Sequence, residues 1–196
     1  MAEAETTQAV RFGRTVVQPA AGELVDQPVQ AIVHAANSRG VMGAGPAGSV
    51  RLVGGPEIER EAMEGAPFDL GTAFLTGSGR LADRGIAAII HAVVAPHLGE
   101  TAEVPDVRRA LAAALRIADE HRFRTLALPL LGLRADATAG ERTDLVEAIA
   151  DEFVAHLRRG DTRLESVVVV SRFDDDLAMM MDTLSRARQR SWTNPP

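Results

Sequence analysis

Asn37 and the four glycines between positions 40 and 48 are the residues whose types and spacing first indicate chemistry. They follow the apolar run Val29 to Ala35, so a buried strand would deliver them to one edge of a sheet. Glycines permit positive φ angles and a close approach of the backbone to a ligand, and consecutive N–H groups in such a turn bind anions. A helix beginning near Pro46 would add its own amides. The stretch predicts a phosphate-binding loop, with a plain surface loop as the alternative.

The segment Gly43 to Gly48 also matches the G-x-G-x-x-G pattern of dinucleotide-binding loops. That pattern needs its first glycine directly after a strand and an acidic residue that closes a second strand about 20 residues later. Here the loop is too long, and Glu64 lies in a stretch with helical character. A dinucleotide-binding site is therefore the less favoured interpretation.

Metal chemistry has little support in the sequence. The five histidines are scattered singly, and only His97 and Glu100 have a spacing that hints at metal ligation. Core or surface positions are the simpler interpretation of all five histidines. The run Asp174 to Asp176 favours capping of the last helix over metal binding. We therefore predict no metal and no cofactor.

Composition excludes several mechanisms. The 196 residues contain no cysteine, and all 21 basic residues are arginine, so thiolate nucleophiles, Walker A sites and Schiff bases are ruled out. A net charge of -6 argues against broad nucleic-acid binding but is compatible with a nucleotide in a local pocket. No window approaches the ~20 apolar residues of a membrane span, and the acidic first residues differ from a signal peptide. We expect a cytoplasmic protein.

Apolar runs alternate with amphipathic stretches along the chain. This pattern predicts an α/β fold, a three-layer α/β/α sandwich with a mostly parallel mixed sheet. The loops 36–45, 130–140 and 171–175 follow strands and should meet at their carboxyl ends. We predict one domain over 11–188, a frayed N-terminus at 1–10 and a disordered tail at 189–196. Strands are predicted at 14–19, 29–35, 73–76, 87–94, 125–128 and 166–170, and helices at 46–53, 56–64, 104–121, 144–159 and 175–188.

The stretch Ala31 to Ser38 (AIVHAANS), followed by Met42 to Gly48 (MGAGPAG), resembles the macrodomain family, whose members read A-I-V-N-A-A-N-S before a glycine-rich loop. The resemblance covers most of residues 22–185 in the right order. It implies an α/β/α domain that binds ADP-ribose or an ADP-ribosylated protein, and we expect a monomer. Further matches are IIHAV at 89–93, LALP at 126–129 and VVVSRFD at 168–174.

The resemblance also implies a role for individual residues. Glu23 falls where the family has an aspartate that contacts the adenine amino group, Phe173 matches the aromatic residue against the adenine, and Asn37 matches the asparagine at the distal ribose. Asn37 could instead hydrogen-bond its own turn, and Phe173 could belong to the core. The full set implied to bind ligand is Glu23, Leu24, Asn37, Val41, Met42, Gly43, Ala44, Gly45, Leu131, Gly132, Leu133, Arg134 and Phe173.

Catalysis depends on which branch of the family the loops resemble. Ala47 stands where one hydrolase branch has an aspartate. The spacing from Pro129 to Asp136 is closer to the terminal ADP-ribose protein glycohydrolase branch, whose loop aspartate matches Asp136. The lysine of that branch falls near Val93, so a lysyl–sugar intermediate is impossible.

The remaining chemistry is attack of water on the anomeric carbon of an ADP-ribosyl ester, which would release mono-ADP-ribose from acidic side chains. We predict Asp136 as general base or orienter and Asn37 beside the sugar, with Arg39 or Arg134 offsetting phosphate charge. Asp136 could also be a plain solvated carboxylate. The alternatives are an ADP-ribose reader without turnover and a phosphatase or hydrolase of free ADP-ribose derivatives.

Overall fold

The computed structural model describes residues 9–192. In this part of the chain, seven strands form one sheet in the order β1-β2-β7-β6-β3-β5-β4. The five inner strands run parallel, and β1 and β4 lie antiparallel at the two edges. This arrangement confirms the predicted mostly parallel mixed sheet. The strands are Val10–Phe12 (β1), Thr15–Ala21 (β2), Ala31–Asn37 (β3), Ala73–Gly77 (β4), Ala88–Ala95 (β5), Thr125–Pro129 (β6) and Ser166–Ser171 (β7).

Helices cover both faces of the sheet, which confirms the three-layer α/β/α architecture. The helices are Gly45–Gly54 (α1), Pro56–Glu64 (α2), Val104–Glu120 (α3), Ala139–Arg158 (α4) and Asp174–Trp192 (α5), with 3-10 turns at Leu24–Asp26 and Gly79–Arg84. Apolar side chains of α3, α4 and α5 form one core cluster, and those of α1, α2 and the 3-10 turns form another. Val167 of β7 belongs to the first cluster and Val168 to the second. Strands buried on both faces read as unbroken apolar runs, which is why they were predictable.

Helix α4 begins five residues before its predicted start at 144. Thr138 closes a capping box, in which its Oγ accepts from the Glu141 N–H at 3.3 Å and its own N–H donates to the Glu141 carboxylate at 2.7 Å. The T-x-x-E pattern is a known start signal. The predicted start at 144 follows instead from the apolar periodicity that begins at Leu145. Because α4 begins at Ala139, the loop before it covers residues 130–138.

The two chain ends also differ from expectation. Val10 and Phe12 are buried in β1, a strand too short to give a sequence signal, although residue 10 falls in the predicted frayed segment. Helix α5 continues past 188 to Trp192, so the start of the predicted tail is helical. The rest of the tail and residues 1–8 lie outside the described residues. Within residues 9–192, no helix combines the length and apolarity needed to cross a membrane.

Candidate functional site

Two adjoining cavities lie where the inner strands end. The first, of about 290 Å³, is lined by the end of β3, the segment 94–102 and the start of the loop after β6. The second, of about 350 Å³, is lined by 22–24, by the loop after β6 and by 170–173. The residues that line both cavities are Pro46, Pro129, Leu130, Leu133 and Arg134. The three predicted loops therefore do meet at this edge, and the segment after β5 adds a fourth.

Asn37 holds the loop that follows it. Its Nδ2 donates to the Val41 carbonyl at 2.7 Å, and its Oδ1 accepts from the Arg39 N–H at 3.1 Å. The expected alternative, an asparagine bonded to its own turn, is therefore present in the structure. Asn37 also lines the first cavity, and its amide nitrogen carries a second hydrogen that can donate to a ligand.

Glu59 of α2 holds the glycine-rich loop in place through a hydrogen bond to the loop backbone. Its carboxylate accepts from the Met42 N–H at 2.7 Å and pairs with Arg51 at 3.2 Å. The Met42 side chain is only 2% exposed and belongs to the core, so this residue supports the loop from inside the protein. The sequence does not identify Glu59 as a functional residue, because an acidic residue on an amphipathic helix usually lies on the solvent-exposed face.

Gly48 is required by packing within the protein, because a Cβ at this position would lie 2.2 Å from the Gly43 carbonyl oxygen. A Cβ at Gly43 would meet only the methyl end of the exposed Leu98 side chain, which can move aside. The close approach brings the first turn of α1 beside the cavities, where Ala44 and Pro46 are lining residues. The N-terminus of a helix presents free N–H groups and favours negative charge.

The second cavity is lined by an aromatic residue and an acid, Phe173 and Glu23. Phe173 is 56% exposed, so the alternative that it belongs to the core does not hold. Glu23 lines the same cavity and accepts from Arg172 Nε at 2.7 Å. Arg142 forms a hydrogen-bonded ion pair with Asp176, which is 5% exposed. Asp176 thus anchors α4 to α5, a role that capping alone does not describe.

Most of the residues implied to bind ligand line these cavities. Leu131 has its side chain fully buried in the core, and its neighbour Gly132 takes a φ of 77° at the first cavity. Within the described residues, the implied set divides as follows. Lining residues are Glu23, Leu24, Asn37, Val41, Ala44, Gly45, Gly132, Leu133, Arg134 and Phe173, whereas Met42, Gly43 and Leu131 are absent from both linings.

Asp136 lies in a third cavity, of about 450 Å³, together with Glu103 and Glu141. Both of its carboxylate oxygens accept from Arg134, at 2.9 Å each. The hydrogen bond from this guanidinium lowers the pKa of Asp136. A carboxylate held in its charged form is a weaker base. Asp136 lines the third cavity and Asn37 the first, and these two cavities adjoin at Ala102, Gly132 and Arg134.

His97 and Glu100 line the first cavity beside Asn37. Both are exposed and belong to one turn, in which the Glu100 N–H donates to the His97 carbonyl at 3.3 Å. The sequence alone favours a core or surface position for His97, and the structure places it at the surface, in the lining of the first cavity. Its position directly after β5 was the available signal, because the carboxyl ends of parallel strands meet at the same edge.

His34 and His91 form a buried hydrogen-bonded chain with Thr76, and none of the three lines the cavities. His34 Nε2 and His91 Nδ1 are 2.8 Å apart, and His91 Nε2 is 2.8 Å from Thr76 Oγ. Burial lowers the pKa of His34 to about 4 and the pKa of His91 well below its ordinary value. Among residues 9–192, no group of three or more His, Asp or Glu side chains could hold a metal ion.

Sequence comparisons give related proteins. A family model described as Macro domain matches residues 33–139. A protein of Aquifex aeolicus is 33% identical over 156 residues, 80% of this chain and 89% of the relative. A macro domain-containing protein of Caldanaerobacter subterraneus is 35% identical over 128 residues, 62% of this chain and 70% of the relative. The chain spans only 62% of a similar Aeropyrum pernix protein and 28% of a Mycobacterium tuberculosis protein.

Solved structures share the fold. The Oceanobacillus iheyensis macrodomain with ADP has a TM-score of 0.78 and 18% identity, with 94% of this chain and 97% of that chain covered. The Trypanosoma brucei macrodomain in complex with ADP-ribose has a TM-score of 0.72 and 19% identity, with 85% and 68% covered. At these identities the likeness establishes the architecture.

Proposed function

This chain belongs to the macrodomain family, and we propose that it binds ADP-ribose across the first and second cavities. The observation that carries the proposal is the order of groups along them. Phe173 and Glu23 line the second cavity, Pro46 in the first turn of α1 lines both cavities, and Asn37 lines the first. An adenine, a diphosphate and a second ribose follow one another in the same order along ADP-ribose.

Each end of this order has a physical rationale. An exposed phenyl ring can stack on the adenine, and a carboxylate can accept a hydrogen bond from its amino group. The N–H groups near Gly45 and the guanidinium of Arg134 would offset the charge of the diphosphate. The complexes of the Oceanobacillus iheyensis protein with ADP and of the Trypanosoma brucei protein with ADP-ribose support this choice of ligand.

We further propose hydrolysis as the fate of the bound group. The substrate would be mono-ADP-ribose esterified to an acidic side chain of a protein. Residues 97–100 are exposed and line the first cavity together with Asn37, so a protein attached to the sugar could approach this cavity from solvent. A reader domain that binds without turnover is the outcome to be distinguished.

Calorimetry with ADP-ribose, ADP and AMP tests the binding proposal. We expect ADP-ribose to bind more tightly than AMP, since only ADP-ribose would reach Asn37. Phe173→Ala should weaken ADP-ribose binding about tenfold or more, because base stacking contributes ~1–3 kcal/mol. Leu52→Ala is the matched control, since Leu52 is an apolar residue that is 79% exposed on α1. Equal affinity for AMP and ADP-ribose would contradict the proposal.

Incubation with a protein carrying glutamate-linked ADP-ribose tests hydrolysis. Release of free ADP-ribose over the buffer blank is expected. Tight binding without release would identify a reader domain instead.

A further inference from the structure

We propose that His97 is the general base of this hydrolysis, an assignment that rests on the proposed function. The first cavity contains Asn37, which is expected at the distal ribose, so the reacting carbon should lie there. Among the described residues that line this cavity, the side chains able to carry a proton are His97, Glu100 and Arg134. Arginine stays protonated in proteins and cannot accept a proton, which leaves the histidine and the glutamate.

The predicted base, Asp136, is already engaged by a cation. Arg134 donates to both of its carboxylate oxygens, and Asp136 lines the third cavity, which adjoins the first. The same guanidinium donates through Nη1 to the Gly99 carbonyl at 2.8 Å. Asp136 therefore fixes Arg134, and Arg134 fixes the turn that carries His97. The geometry makes Asp136 a positioning residue.

His97 lies closer along the chain than Glu100 does to the strand pairing that holds Asn37. Asn37 and Ala95 are paired in the register of β3 and β5, and the Ser38 N–H donates to the Ala95 carbonyl at 3.0 Å. His97 follows this junction by two residues and Glu100 by five. A glutamate would also add a negative charge beside a diphosphate and a departing carboxylate, whereas a neutral imidazole adds none.

The reaction balances with water alone. The water oxygen bonds to the anomeric carbon while the bond from that carbon to the ester oxygen breaks, and its electron pair leaves with the carboxylate. One water proton passes to the free ring nitrogen of His97 and then to solvent. The products are ADP-ribose with a free anomeric hydroxyl and an unmodified acidic side chain.

Single-turnover hydrolysis of glutamate-linked ADP-ribose between pH 5 and 8, with the spontaneous rate subtracted, tests the assignment. The wild-type rate should rise with pH, since a general base accepts a proton only in its unprotonated form. His97→Gln should lower the rate ~100-fold or more and abolish this rise, since general base catalysis contributes about 10²–10⁴. Its affinity for ADP-ribose, measured by calorimetry, should stay close to wild type. His121→Gln, at an exposed histidine outside the cavities, is the matched control.

Asp136→Asn and Glu100→Gln complete the set. Asp136→Asn should lower the rate less than His97→Gln and keep the pH dependence, because the histidine remains. A His97→Gln protein that keeps both its rate and its pH dependence would overturn the assignment, as would loss of the pH dependence in Glu100→Gln. Wild-type binding without turnover overturns hydrolysis and this role together, whereas absence of ADP-ribose binding overturns the proposed function itself.

Discussion

At the scale of single residues, the strand-end positions divide into those with a sequence signal and those without one. Asn37 and Phe173 follow recognisable strand motifs, and the structure places both at the cavities. Glu59 contacts the glycine-rich loop from α2, an element distant in sequence, and the position directly after β5 is the one available signal for His97. Neither residue type nor spacing shows such contacts, because they depend on how α2 and the turn after β5 pack.

Glu59→Ala tests whether the hydrogen bond from the Met42 N–H to Glu59 holds the glycine-rich loop in place. The substitution leaves the partly buried Met42 N–H without its charged acceptor, which costs about 1–3 kcal/mol. We expect a lower free energy of unfolding in urea and weaker binding of ADP-ribose. Glu64→Ala, at an exposed position on the same helix, should leave both measurements near wild type. Unchanged loop stability and affinity in Glu59→Ala would contradict this role.

At the scale of elements, the long periodic segments were predictable, and the ends of α2 and α3 agree with the prediction to within one residue, whereas the start of α4 does not. The inner strands could be predicted because helices cover both of their faces, so their sequences are unbroken apolar runs. Helix α3 could be predicted because its apolar stripe is continuous. The start of α4 differs from the prediction because the cap at Thr138 lies seven residues before the first apolar residue of the pattern, Leu145. The β1 strand has too few residues to show alternation.

Thr138→Ala tests the cap of α4. Loss of the N-cap oxygen should reduce the free energy of unfolding by about 1 kcal/mol. Thr138→Ser retains the hydroxyl and should restore most of that stability. Urea unfolding of the three proteins gives the comparison. Equal midpoints for Thr138→Ala and wild type would show that the box contributes little.

At the scale of the whole molecule, the buried His34 and His91 pair links stability to pH. Both pKa values are lowered in the folded protein, so the unfolded chain binds more protons as the pH falls below the ordinary histidine value. Their stabilising effect is therefore complete above about pH 6.5 and is lost as the pH falls towards 4.

Unfolding in urea at pH 7.5 and pH 5 measures this dependence. We expect a smaller free energy of unfolding at pH 5 for wild type. Burial also lowers the pKa of His156, so some of the pH dependence will persist without His34. His34→Asn should nevertheless show a shallower dependence than wild type. An identical dependence in the two proteins would contradict the assignment to this pair.

The two outer strands of the sheet affect how the protein behaves when it is concentrated. β1 has three residues and β4 has five, so each offers only a short row of backbone groups to another molecule. At the β4 edge, the Gly77 N–H is already occupied by the Glu61 carboxylate at 2.9 Å. Fibrous aggregation begins by strand addition at long, unprotected edges. This chain therefore resists that route to insolubility, even though five of its strands are largely apolar.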